Sequence, residues 1–144
     1  MWRTAVAAVL LLVGVWLAID ALIVTDLERV EAEVERLVEL ARHGGADAAQ
    51  EILAALADDY RGDGFYARER IADYVRRFVA EDRAEEISTG GYVAVPKGDE
   101  VIVPILRVDV RTKRTEATAV LRVTFAKRDG RFRIVNVEQW RLER

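Results

Sequence analysis

The chain has 144 residues, no cysteine, one histidine and a formal net charge of −3, with 51% hydrophobic and 33% charged residues. That length suits one domain with a core of its own, and the missing cysteines exclude disulfides, thiolate metal sites and a cysteine nucleophile. The near-neutral balance leaves no nucleic-acid footprint. Charge is nevertheless divided along the chain: residues 25–86 hold 17 acids against 9 bases, and residues 97–144 hold 12 bases against 7 acids. An acidic helical half facing a basic strand half accounts for that division without a charged partner.

Residues 5–24, AVAAVLLLVGVWLAIDALIV, carry one charge, Asp20. Twenty helical residues at about 1.5 Å each span roughly the 30 Å of a bilayer core. Asp20 would cost about 2.5 to 3.5 kcal/mol at mid-membrane, but it sits four residues from the end, near the interface. A cleaved signal peptide is the competing reading, and residues 18–21, Ala-Ile-Asp-Ala, lack the small-x-small cleavage pattern it needs. A single-pass anchor is therefore expected. Arg3 precedes the run, and Asp26, Glu28 and Glu31 follow it with only Arg29 nearby. That asymmetry predicts a cytoplasmic N-terminus and an extracytoplasmic domain.

Three helices are expected next. TDLE at residues 25–28 has the form of a capping box, which predicts that a helix restarts just outside the membrane. Leu27, Val30, Val34, Leu37, Val38 and Ala41 then recur at helical spacing until Gly44-Gly45. DAAQ from Asp47 repeats the capping pattern, with Ala49, Ile52, Leu53, Leu56 and Tyr60 on one face. A third helix is expected over residues 66–80, with Ile71, Tyr74, Val75 and Phe78 inward.

After Glu81 the period changes to two, predicting strands at 85–89, 92–95, 101–112, 116–127 and 131–142. Asp129-Gly130 tolerates the positive φ of a type I′ hairpin turn. Strict alternation from that turn would put Phe132, Ile134, Asn136, Glu138 and Trp140 on one inner face, opposite Phe125, Val123, Leu121 and Ala119. Trp140 would then be buried, and Glu138 would need an arginine partner or a wet cavity; the rival reading exposes Trp140 and turns Val135, Val137 and Gln139 inward.

Helices followed by an antiparallel meander make an α+β domain with helices on one face of a curved sheet. With the closing strand DGRFRIVNVEQWRLE, residues 26–142 resemble the nuclear transport factor 2-like superfamily, also called SnoaL-like or cystatin-like α+β cones. The resemblance implies a cone between helices and sheet that often holds a small ligand. Some members are isomerases or dehydratases that use Asp, Tyr or His inside it; many are non-catalytic. Here His43 falls at a helix end beside glycines, so Asp109 and Glu138 are the candidate bases. Tyr60, Tyr66, Tyr74, Tyr92, Asn136, Glu138 and Trp140 are the candidate pocket residues. A membrane-tethered, non-catalytic binding or assembly module is the expected function, with the carboxylate-dependent isomerase or dehydratase as the alternative. The expected partners are the membrane and, through the sheet, another protein or a second copy. No cofactor motif is present.

The stretch DDYRGDGFYARERI, residues 58–71, mimics a calcium loop from Asp59 onward. Arg61 and Arg70 occupy the third and twelfth positions, where the ion needs acids. It is expected to be a turn, which the resemblance places at the pocket rim, and not a metal site.

Overall fold

The computed structural model describes residues 2–81 and 84–139, apart from the side chains of residues 20–24. The expectations for Trp140 therefore lie outside the described residues.

The first helix, α1, runs unbroken from Trp2 to His43. The expected restart at Thr25 does not occur. No glycine or proline lies between Val15 and His43, so the ladder of backbone hydrogen bonds continues through Thr25 and no helix end forms there to be capped. The two halves of α1 have different surroundings. Side chains of Trp2–Ile19 are all exposed, and this stretch is long and apolar enough to cross a membrane as an anchor or to serve as a signal sequence. Val30 and Val34 further along are buried against the sheet.

Helix α2 spans Ala46–Ala54 and starts two residues earlier than the Asp47 cap would require. Gly45, at φ 100, turns the chain into it without a side-chain cap, and Asp47 sits in the first turn, where its charge suits the positive helix end. α2 stops before Leu56 and Tyr60 because the chain there leaves the helix and pairs with the sheet. The expected third helix divides into a 3-10 turn at Gly64–Tyr66, helix α3 at Arg68–Val75, and a widened π turn at Arg76–Glu81.

The strands are β1 (Glu86–Thr89), β2 (Val95–Lys97), β3 (Glu100–Arg111), β4 (Glu116–Arg128) and β5 (Arg131–Gln139). All pair antiparallel in the order β1-β3-β4-β5, with β2 also on β3. β2 begins three residues later than periodicity predicts. Pro96 fits there because β2 is an edge strand. Pro104 has no N–H for the ladder, and the register of β3 on β4 shifts between Val103 and Leu106. The β4–β5 turn is as expected, with Asp129 at φ 54, Gly130 at φ 78, and Arg128 opposite Arg131.

The register of β5 is not the strictly alternating one. Phe125 pairs with Ile134, but Thr124 pairs with Asn136, leaving Val135 as a bulge. A segment after α2 causes it. The Ala57 N–H donates to the Ile134 carbonyl at 2.9 Å, the Ile134 N–H to the Ala55 carbonyl at 2.8 Å, and the Arg61 N–H to the Val135 carbonyl at 2.8 Å. Val135 is fully buried with Ala57 and Ala126. One extra residue inverts every later side chain. Val137 replaces Asn136 on the inner face, and Glu138 lies exposed opposite Arg122.

Candidate functional site

Between the helices and the inner face of the sheet lies a cavity of about 330 Å³. Helix α1 gives it Val34, Leu37, Val38 and Ala41, while Ile71, Tyr74, Val75 and Phe78 come from α3 and its widened turn. The sheet gives Leu106, Val108 and Val110 from β3, Leu121, Val123 and Phe125 from β4, and Ile134 and Val137 from β5. Several of these core positions, including Leu37, Ile71, Val108 and Leu121, are only half-buried, so the two layers do not close on each other. Tyr74 is 39% exposed and marks the opening. Among the described lining residues, polar side-chain atoms come only from Tyr66, Tyr74 and Thr89.

Both candidate carboxylates lie outside this cavity. Val108 and Val110 point inward, which places Asp109 between them on the outer face. There it accepts a 2.6 Å hydrogen bond from the Thr118 hydroxyl and bonds of 3.2 and 3.3 Å from Arg107 Nε. The Thr118 bond, and behind it Arg107, hold its carboxyl below the usual carboxylate range, which is the wrong direction for a base near neutrality. The bulge puts Glu138 outside, and Asn136 faces Thr124 across the strands. The adjacent apolar pair Ile134-Val135, with Val137 two residues on, was the available signal, because strict alternation cannot place all three on one face.

The tyrosines have separate places. Tyr66 and Tyr74 line the cavity. Burial raises the Tyr66 phenol above its ordinary value. Tyr92 packs on the core and donates from its hydroxyl to the Glu31 carbonyl at 3.3 Å, tying the chain ahead of β2 to α1. Burial raises that phenol too. Tyr60 contacts the core beside the cavity, donates to the Tyr66 carbonyl at 2.6 Å and lies under Arg68. His43, at the end of α1, is exposed.

The 58–71 stretch is a clasp. Asp59 is gripped by Arg128 at 2.9 Å, Arg61 pairs with Glu100 at 3.1 Å, and Arg68 donates to the Ala57 and Asp58 carbonyls. Its charged groups fasten the chain to β3 and β4. Gly62 is needed for room, because a Cβ there would overlap the Tyr60 hydroxyl and the Tyr66 carbonyl. Gly62→Ala is expected to cost about 1 to 3 kcal/mol by overpacking, read as a lower thermal midpoint. Gly91 has open space around it, and Gly91→Ala should leave the midpoint nearly unchanged.

Desolvation pushes the Tyr60 phenol up from 10.0 to about 12. A raised folded value means that the stabilisation is fully present below pH 10.0 and is lost as pH climbs towards 12. Phenolate absorbance should therefore show a late-titrating tyrosine that is absent in Tyr60→Phe. A titration curve unchanged by Tyr60→Phe would contradict this placement.

No family model and no curated protein matches the chain. Solved structures do. An NTF2-like protein with a cystatin-like fold from Novosphingobium aromaticivorans superposes with a TM-score of 0.60 at 21% identity, over 85% of this chain and 85% of its own. The chain has the NTF2-like fold. Rv3472 from Mycobacterium tuberculosis, a protein of unknown function, superposes at 0.59 with 15% identity, over 86% of this chain and 76% of its own. Bd1075 from Bdellovibrio bacteriovorus superposes at 0.62 with 9% identity, over 81% of this chain but 40% of its own, so there the NTF2-like unit is part of a longer chain. In these terms the cavity is the interior of an NTF2-like cone, and Gly62 and its neighbours form a loop beside its wall.

Proposed function

We propose that this protein is a membrane-tethered, non-catalytic binding module whose cone receives an apolar ligand on the extracytoplasmic side. The cavity lining carries the reading: aliphatic walls, a rim tyrosine, and no carboxylate, histidine or lysine among the described lining residues. A cavity of this size falls within the range of small-molecule sites. Acid–base chemistry inside it would need a titratable group near neutrality, and Asp109 and Glu138 face the other way.

The tether reading rests on α1. Val34 lies ten residues beyond Val24 and Ala41 seventeen, so the cavity wall stands about 15 to 25 Å along the helix from the end of the apolar segment. The helix that forms the wall is the one that enters the bilayer. Arg3 before the segment, and Asp26, Glu28 and Glu31 after it, support the outward placing.

Carbonate extraction and protease treatment of intact cells test the tether. The full-mass chain should stay with the membrane and lose its domain to external protease. A soluble chain of reduced mass would replace the anchor with a signal peptide. Turnover of a small carbonyl or hydroxy substrate that is abolished by Asp109→Asn or Glu138→Gln would replace the binding module with the enzyme.

A further inference from the structure

We propose that the occupant of the cone is an anionic, single-chain lipid taken from the bilayer that α1 enters. This rests on the binding-module reading above and goes further by naming the ligand.

The walls discriminate among apolar occupants. A peptide segment would carry an amide at every residue, and each amide left unpaired against apolar walls is costly. The described lining offers only two phenols and the Thr89 hydroxyl to satisfy them. An aliphatic chain has no such groups, and its methylenes match walls built mainly of Val, Leu and Ile. At about 330 Å³ the cavity lies near the small end of ligand pockets, which favours one chain over two.

The opening supplies charge complementarity. Arg70 lies four residues before Tyr74 on α3, a spacing that puts it beside Tyr74 on the helix surface, and Arg77 follows three residues later at the start of the widened turn. Neither guanidinium makes an ion pair among the described residues. Arg77 lies over the Phe78 ring at 5.4 Å. The acid in between, Asp73, faces Arg76 at 3.7 Å. An aliphatic interior with two cations beside its exposed tyrosine, neither ion-paired among the described residues, is the complement of a fatty acid or lysophospholipid: chain inside, anionic head at the rim. The continuity of α1 with the apolar segment carries the cone on the same helix, its wall about 15 to 25 Å from the bilayer that is the source of such molecules.

The test uses the full chain in phosphatidylcholine vesicles carrying a small fraction of lysophosphatidylglycerol with a diazirine on its chain. After illumination, labelled peptides are mapped. The expected result is label in two places: along Trp2–Ile19 from the bilayer, and on cone peptides that contain Val38, Ile71 and Val108. Leu121→Trp, and independently Val108→Phe, should remove the cone label and keep the anchor label. Arg70→Gln combined with Arg77→Gln should lower the cone label several-fold for lysophosphatidylglycerol and little for lysophosphatidylcholine. Label confined to the anchor would overturn the lipid assignment. The neutral dye N-phenyl-1-naphthylamine on the same vesicles separates the two readings. A dye signal that Leu121→Trp removes, with lipid label confined to the anchor, ends the lipid proposal and leaves the binding module. Loss of both ends both.

Discussion

Replacing Phe125 by alanine is expected to cost the domain about 3 to 5 kcal/mol, the range for truncating a buried aromatic. The ring is 1% exposed and belongs to the main core cluster with Val30, Val34, Val103 and Phe132. It also forms part of the cavity wall. Set against typical domain stabilities of about 5 to 15 kcal/mol, this loss should leave the variant marginal, with its thermal midpoint lowered by many degrees. The variant should also enlarge the cavity, since a hollow interior has little capacity to collapse around a new void. A midpoint within a few degrees of wild type would show that the two layers are not held together at this ring.

Val137→Asp should be comparably damaging, while Glu138→Gln should change stability by no more than about 0.5 kcal/mol. The bulge at Val135 puts Val137 inside, 8% exposed, and leaves Glu138 on the surface. A carboxyl at position 137 would meet an apolar cavity without a partner, at a cost of about 2 to 7 kcal/mol, and would be driven to take up a proton. With its folded pKa raised, such an acid destabilises more at neutral pH than at acid pH, so the stability difference from wild type should narrow as pH falls. Strict alternation along β5 predicts the opposite pair of results, with Glu138 the sensitive position. Denaturant melts of the two variants distinguish the registers.

Element type was legible in the sequence and register was not, for a local reason. The change from helical to alternating spacing after Glu81 depends only on which residues follow one another, and it yields strands β1, β3, β4 and β5 within a few residues of their observed ends. The Asp129-Gly130 turn likewise depends on its own two residues. The bulge at Val135 is imposed from elsewhere. Residues 55–61, more than seventy positions earlier in the chain, bond to Ile134 and Val135 and hold the extra residue in place.

The same distant contact ends α2 at Ala54, where helical spacing alone extends the apolar face to Tyr60. The capping boxes at Thr25 and Asp47 failed for a different reason. They describe side chains able to begin a helix, whereas α1 was already helical and Gly45 opened α2 first. Of the candidate site residues, Tyr74 reaches the cavity on the helical face expected of it and Tyr66 reaches it from a 3-10 turn ahead of α3, while Asp109 and Glu138 do not. The aliphatic lining was visible only as core positions, because sequence spacing says which residues face inward and not whether the opposing layers meet.

The most direct measurement is binding of N-phenyl-1-naphthylamine to the full chain in lipid nanodiscs, taken as the difference from empty nanodiscs. Wild type, Asp109→Asn and Glu138→Gln should bind the dye equally, and Leu121→Trp, which fills the cavity without touching α1's apolar segment, should lose most of the signal. A signal that survives Leu121→Trp, or that disappears with either carboxylate, would contradict the proposed apolar binding cone.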